Sequence, residues 1–397
     1  METSYDAIVV GAGPAGSNAA RTIAKNGYKT LLIDRRKVIG IPVQCGEFLP
    51  TPREMNDMFP ESPRTQRLAN PPKEVITNKT THMSLCSPRS KEYRFKLEAN
   101  VIDRVLFDQH LANQASDAGA DISLNTRAIA RNKANVLRVK TEDGIHYIKA
   151  RVIIGADGPR SIIAKSIGCY YHDEIRDVSQ SLQYVMEGVE FNPQHPKMFF
   201  GHSVAPGGYA WVIPKEEGVA NIGFGLRRSF MIPGVTLKSY LDNLLRKNPI
   251  VAPHVKAARI RSRVGASIPV GGPVRPSFTN SVLLAGDAAG HVMASNGGGI
   301  PTALAGGEIA GETVVDHFSN GSSLGEYERR WKKEFGVQLY SALAILRVAD
   351  WMMRTDSLTE VAMKISGSIY LEDVIRCRLP RPISFGTPVV TKLFQWL

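Results

Sequence analysis

Gly11-Ala12-Gly13-Pro14-Ala15-Gly16 has the G-x-G-x-x-G spacing that lets a backbone approach a pyrophosphate. Gly11 permits the tight turn, Gly13 admits the phosphates, and Gly16 lets the following helix pack closely on its strand, with Ala15 placed by the fingerprint itself. Asp34 stands eighteen residues past Gly16, where a carboxylate accepts hydrogen bonds from a ribose diol. These residues predict an ADP-containing cofactor whose phosphates meet the bare N–H groups of a helix start. Two other turns carry acids. Gly155-Ala156-Asp157-Gly158-Pro159-Arg160-Ser161 and Gly286-Asp287-Ala288-Ala289-Gly290 each follow a short apolar run. Asp157 and Asp287 would then sit at the carboxyl ends of strands, where open α/β sheets bind ligands, and Asp287 can accept a hydroxyl of a ribityl chain. Asn296-Gly297-Gly298-Gly299-Ile300-Pro301 leads into a helix from about Thr302. The bare N–H groups at Gly298, Gly299 and Ile300 would face a flavin pyrimidine, where negative charge develops on reduction.

The elements that must position these residues read as α/β. Asp6–Val10 forms a strand, Ser17–Lys25 a helix and Thr30–Ile33 a second parallel strand. The Pro-rich stretch from Pro42 to Pro72 reads as loop with little helix. Helical spacing runs from Val101 to Ala118, ended by Gly119, and a strand begins at Ile122. Residues 126–131, 136–141 and 145–148 read as hairpin strands, with 151–154 returning to the core sheet. Alternation over 180–230 predicts an antiparallel sheet, followed by a helix near 236–247, a strand near 259–267 and a buried strand at 281–285. From Leu324 onward the chain is mostly helical, broken by Pro380, Pro382 and Pro388. The expected architecture is a Rossmann-like nucleotide domain (1–60, 95–170 and 275–325) interrupted by an antiparallel-sheet substrate domain (61–94 and 171–274), with a helical C-terminal extension (326–397).

The three glycine signatures, in this order, resemble those of the para-hydroxybenzoate-hydroxylase-like FAD flavoproteins. Pro206-Gly207-Gly208-Tyr209-Ala210-Trp211-Val212-Ile213-Pro214 is similar to the P-x-x-Y-x-W-x-F-P signature of geranylgeranyl reductases, with Ile213 where the pattern has Phe. Val43-Gln44-Cys45-Gly46-Glu47 looks like the cysteine–glycine segment of that family. The resemblance implies FAD as cofactor and reduction of isoprenoid C=C bonds in archaeal ether phospholipids. It further implies that Cys45 and Gly46 lie beside the cofactor, with Cys45 a proton donor or redox partner. Arg104 would sit near the cofactor phosphates, and Ala128 would offer a backbone contact to adenine. Tyr209 and Trp211, two apart on a strand, share one face and would line an apolar slot for a prenyl chain.

No second G-x-G-x-x-G follows a strand, so a separate nicotinamide domain is not expected. The reductant would be a nicotinamide that docks transiently, a ferredoxin or another low-potential donor. The motif at Tyr209 also approximates the W-x-W-x-I-P of flavin halogenases, with Tyr209 for the first Trp, so a monooxygenase or halogenase is the rival enzyme. A prenyl-lipid carrier retaining FAD is the non-enzymatic rival.

Composition narrows the partners. The 397 residues are 43% hydrophobic and 22% charged, with a net charge of +12. No zinc-finger spacing or basic helix accompanies that charge, which argues against nucleic acid and leaves an anionic membrane surface or a solvated basic face. Cys45, Cys86, Cys169 and Cys377 share no C-x-x-C spacing, so neither a metal site nor a disulfide framework is indicated. A strand starting within five residues of Met1 leaves no room for a signal peptide, and no stretch is long and apolar enough to span a bilayer. The expected location is cytoplasmic, peripheral at most. Pro388–Leu397, with Val389, Val390, Leu393, Phe394, Trp396 and Leu397 around Lys392, is an apolar tail suited to a headgroup region or to the core of the C-terminal helices.

Overall fold

The computed structural model describes residues 3–171 and 174–379. The tail Pro388–Leu397 lies outside the described residues.

Seven strands form the first sheet: β1 (Ser4–Val10), β2 (Thr30–Ile33), and five defined below. The second sheet takes up the chain with β3 (Phe48–Pro50), β4 (Ile76–Cys86) and β5 (Glu92–Ile102). β6 (Asp121–Ser123), β7 (Arg127–Arg131), β8 (Val136–Thr141) and β9 (Gly144–Gly155) return to the first sheet. β10 (Val178–Glu187), β11 (Lys197–Phe199), β12 (Tyr209–Glu216), β13 (Val219–Arg227) and β14 (Arg259–Pro269) complete the second. β15 (Val282–Leu284) closes the first by pairing in parallel with β9. The orders are β6-β2-β1-β9-β8-β7 and β14-β10-β13-β12-β11-β4-β5-β3.

Helix α1 (Pro14–Lys25) follows β1, and α4 (Arg104–Asp117) packs beside it. The long α8 (Ile300–Asn320) crosses α1 closely. A Cβ on Gly307 would stand 2.1 Å from the Ala15 carbonyl oxygen, and one on Gly311 2.6 Å from Thr22 Cβ. Small residues on both helices therefore set the approach. α5 (Ile162–Ser166), α6 (Glu174–Asp177) and α7 (Leu237–Lys247) connect strands. The C-terminal region consists of α9 (Glu326–Trp331), a π-helical turn (Lys332–Gly336), α10 (Val337–Met352) and α11 (Asp356–Ile375), kinked at Gly367.

Several elements differ from the sequence reading. Two short helices, α2 (Pro52–Met58) and α3 (Pro63–Leu68), occupy the Pro-rich stretch. Their prolines sit at the first helical turn, where the missing N–H costs nothing, and Thr51 and Ser62 cap them by accepting from Glu54 N–H and Thr65 N–H. The helix expected from Val101 starts instead at Arg104, because Val101 and Ile102 finish β5 and Asp103 caps α4 by accepting from Leu106 N–H at 3.0 Å. The boundary drawn between 94 and 95 thus falls inside β5, which lies wholly in the second sheet. Residues 144–155 form one continuous strand. Its first half pairs with β8, and its second half pairs with β1 and β15.

Candidate functional site

The nucleotide loops meet at the carboxyl ends of β1, β9 and β15. Gly11 holds φ at +104°, and a Cβ there would lie 2.3 Å from the Ala156 carbonyl oxygen. A Cβ on Gly16 would lie 1.8 Å from Gly11 O, whereas one on Gly13 would meet nothing within 4 Å. The fingerprint thus has two glycines that pack backbone on backbone and one that leaves open space at the start of α1. Asp34, 7% exposed, accepts from Ala12 N–H and Arg36 N–H, both at 2.8 Å. It fixes the glycine loop itself, and each oxygen keeps a second lone pair for a sugar hydroxyl. Ala15 is wedged between α8 and Gly286, where a Cβ would come within 2.9 Å of Ala15 Cβ.

Asp157 and Asp287 occupy similar turns and differ in their partners. Asp157 accepts from Ser161 Oγ and from Ile162 N–H at 2.7 Å, so its carboxylate is spent on starting α5. Burial raises its carboxyl above the ordinary range against those bonds. No hydrogen bond reaches the Asp287 carboxylate among the described residues. Burial pushes it up to about 6, with the Arg104 guanidinium pulling the other way. Its Oδ1 lies 3.6 Å from where a Gly299 Cβ would stand, which places it at the start of α8, where Gly299 is the cap and Ile300 the first helical residue. Gly298 N–H is taken by Asn296 Oδ1 at 2.8 Å. An open phosphate approach at Gly13 and an unpartnered carboxylate at Asp287 fit a bound dinucleotide. Ala128 is buried on the other face of the first sheet, among Tyr5, Val10 and Leu137.

The second sheet presents its chemistry to the same region. Cys45, half-buried, precedes Gly46 and Glu47, and this short loop is clamped at every residue. Gln183 donates to Cys45 O at 3.1 Å, and Asn221 donates to Gly46 O at 3.1 Å. The buried Glu47 carboxylate receives Asn221 Nδ2 at 2.9 Å, Lys215 Nζ at 2.6 Å and Arg104 N–H at 3.1 Å. Glu47 N–H in turn points at Cys45 Sγ, 3.2 Å away. Arg104 makes two 3.0 Å bonds to Asp108 and hydrogen-bonds the Cys45 sulfur. Arg104 therefore stands between the Cys45 loop and Asp287.

Tyr209 and Trp211 share a face of β12, with ring centroids 5.9 Å apart. Trp211 lies across Gly223 and Gly225, where Cβ atoms would come within 2.8 and 3.8 Å of its ring. Its Nε1 donates to Gln183 Oε1 at 3.0 Å, and the Tyr209 hydroxyl donates to the Asn296 carbonyl in a short bond. Both polar tips are engaged, so what the pair offers is apolar surface. Gln183, Asn221 and Lys215 were not singled out in the sequence, and Glu47 stood there only as the end of the quoted Cys45 segment. No local motif marks the first three, because strand register alone brings them to the Cys45 loop.

Two family descriptions match: an FAD-dependent oxidoreductase over residues 6–190 and a geranylgeranyl reductase catalytic domain over 177–267. A digeranylgeranylglycerophospholipid reductase of Methanocaldococcus jannaschii is 34% identical over 378 residues, covering 92% of this chain and 91% of the relative. One from Methanopyrus kandleri is also 34% identical, covering 94% and 96%. The chain belongs to the digeranylgeranylglycerophospholipid reductase family. It is an FAD-dependent oxidoreductase of the reductase type. A solved geranylgeranyl bacteriochlorophyll reductase-like protein from Thermoplasma acidophilum superimposes with TM-score 0.81 at 27% identity, covering 99% and 98% of the two chains. A flavin-dependent brominase reaches TM-score 0.71 at 15% identity, and that likeness extends to the fold alone. No helix among the described residues is long and apolar enough to cross a membrane.

Proposed function

We propose that this reductase hydrogenates C=C bonds in geranylgeranyl chains of an ether glycerophospholipid. One observation carries the reading. Cys45, the Arg104 guanidinium and the apolar face of Trp211 converge beside the Asp287 and Gly297–Gly299 segment, in a chain whose relatives are named for this reaction.

The roles follow from the groups available. Gly13 and the start of α1 take the pyrophosphate, Asp34 and Asp287 accept sugar and ribityl hydroxyls, and the N–H groups opening α8 meet the pyrimidine. FAD, when bound and reduced, supplies the hydride. An unactivated trisubstituted alkene has no carbonyl to polarise, so alignment must supply much of the catalysis. Tyr209 and Trp211 hold the prenyl chain by apolar contact. Cys45 gives its proton to the less substituted carbon, leaving positive charge to develop at the tertiary one. Arg104 and Glu47 N–H then hold the resulting thiolate. Electrons enter from a low-potential donor, a nicotinamide or a ferredoxin.

The reading extends to a membrane surface, since the substrate is a lipid. Along α11, Val361, Ile365 and Ile369 are exposed, the last two at 79% and 77%, and Trp351 at the end of α10 is 59% exposed. Lys364 on α11 and Arg354 in the turn between the two helices are also exposed. Glu360 and Glu372 are occupied by Arg89 N–H and Arg376. An apolar row with cations and satisfied acids suits an anionic bilayer.

Anaerobic incubation of a geranylgeranyl phospholipid with the FAD-loaded protein and dithionite tests the proposal by mass spectrometry. Addition of two hydrogens per double bond is expected. Product that forms only with oxygen points to a monooxygenase, and lipid bound without turnover points to a carrier.

A further inference from the structure

An open cavity of about 1640 Å³ lies between the turn at Arg228–Phe230, the Gly271–Pro273 segment leaving β14, and α10. Its lining is unlike the apolar face beside Cys45. Arg176, Arg275, Arg347 and Arg354 meet there, and the lining holds two carboxylates, Asp177 and Asp350. Both acids are neutralised already. Asp177 receives Arg347 at 2.9 Å, and Asp350 is gripped by the buried Arg227, one of whose two bonds measures 3.0 Å. Arg275 lies over the Tyr340 ring, 5.1 Å from its centroid. Neither Arg275 nor Arg354 has a carboxylate partner among the described residues. The Tyr340 hydroxyl, His202 Nδ1 and Arg347 Nη1 are buried atoms of the same lining without a hydrogen bond, Arg347 Nη1 standing 3.8 Å from Asp350. Burying polar atoms unpaired is costly.

The cavity also stands in the right place for one end of a long amphiphile. Gly272 packs on the Asp287 turn, where a Gly290 Cβ would lie 2.3 Å from Gly272 O. Val270, Ala294 and Leu346, with Ile268 and Leu343, form a single apolar layer between the cavity and the loop that carries Gly297. At the outer side Trp351, in the last turn of α10, both lines the cavity and reaches solvent.

We infer that this cavity receives the phosphate ester of the substrate headgroup, while the prenyl chains pass along the apolar layer toward Cys45. The inference rests on the proposed lipid reduction and adds to it the group that selects a phospholipid over a free prenol. A guanidinium pair on a phosphate is bidentate and charge-assisted.

Arg275→Gln and Arg354→Gln, singly and together, test it in FAD-loaded protein reduced by dithionite, so that no nicotinamide nucleotide is present. The double variant should raise KM for a geranylgeranyl phospholipid roughly tenfold or more, with kcat held and the KM for geranylgeraniol, which lacks phosphate, not moving with it. Equal changes for both substrates, or none, overturn the assignment. Tryptophan fluorescence titration with a short-chain phosphatidic acid, set against the matching diacylglycerol and inorganic phosphate, supplies an arm free of turnover. Binding of the phosphatidic acid that the double variant weakens supports a headgroup site even if no alkene is reduced, which separates this inference from the proposed function. Saturation by inorganic phosphate alone, or a defect confined to NADPH-driven assays, assigns the cavity to another phosphate and overturns the headgroup reading.

Discussion

The N–H of Glu47 lies 3.2 Å from the Sγ of Cys45, two residues earlier in the same tight loop. Arg104 also hydrogen-bonds this sulfur, so a charged and a neutral donor meet on one thiol beside the proposed flavin site. Cys45→Ser should therefore keep FAD bound and reducible by dithionite while alkene saturation falls at least about tenfold, near 1.4 kcal/mol of barrier. Product formation at the wild-type rate would leave Cys45 as a packed thiol.

Glu47 is buried, holds a positive φ of 65°, and keeps its charge paired with Lys215. Removing one member of a buried pair strands the other, typically at about 3–5 kcal/mol. Glu47→Ala should lower the guanidinium midpoint by that order and speed alkylation of Cys45, with Glu47→Gln milder because the amide can still accept from Asn221 and Arg104 N–H. An unchanged alkylation rate would mean that Gln183 and Asn221 hold the loop without Glu47.

Asp287 offers an unpartnered carboxylate where Asp157 offers a committed one. Asp287→Ala should weaken FAD retention by about 1–3 kcal/mol, the cost of an unpaired hydroxyl, read as flavin released on dialysis. Asp157→Ala should instead destabilise the start of α5, seen as a lowered melting temperature. Loss of flavin from Asp157→Ala without loss of stability would reverse these roles.

What could be read in the sequence was local. The fingerprint, the Asp157 and Asp287 turns and the Tyr209–Trp211 pair each sit within a few residues, and the βαβ unit follows from them. The β4–β5 pair was harder. Tyr93, Phe95, Leu97, Ala99 and Val101 alternate as a half-buried strand should, yet the apolar spacing after Val101 also suits a helix, and the turn near Ser90 has no Asn-Gly signal. The clamp on Cys45 could not be read at all. Gln183 reaches Cys45, and Asn221 reaches Gly46 and Glu47, only through the register of β10 against β13, where Gln183 faces Gly223. The cavity arginines are likewise gathered from α6, the segment after β14, α10 and the turn that follows it by tertiary packing.

His291 sits in an aromatic box of Trp331, Phe335 and Tyr327, with ring centroids at 4.8, 5.2 and 6.3 Å. Neither ring nitrogen has a hydrogen bond, and burial pushes its pKa down to about 3. Between that value and about 6.5 the unfolded chain binds a proton that the folded one refuses, so stability rises with pH across this window and is lost as pH falls through it. The expected loss from pH 6.5 to pH 5 is roughly 2 kcal/mol. His291→Phe should flatten this part of the melting-temperature profile whatever its effect at neutral pH. A slope as steep as that of the wild type would assign the acid sensitivity to other groups.

Ile365 and Ile369 are the most exposed large apolar side chains of α11, and the kink at Gly367 lies between them. The buried side of the helix is accounted for, since Met363, Leu371 and Ile375 pack against Phe95 and Leu97 of β5. Exposing such a row to water gains nothing for the fold, whereas inserting it among headgroups buries apolar area while Lys364 meets lipid phosphates. Ile365→Glu with Ile369→Glu should reduce cosedimentation with anionic liposomes several-fold while the melting temperature holds, because neither side chain belongs to the core. The remaining binding of the wild type should fall as salt is raised, since the screening length shrinks to about 3 Å at 1 M. Undiminished binding by the double variant would move the attachment to residues 388–397, and deleting those ten residues, with salt dependence as the readout, would then decide between a lipid contact there and a basic face elsewhere.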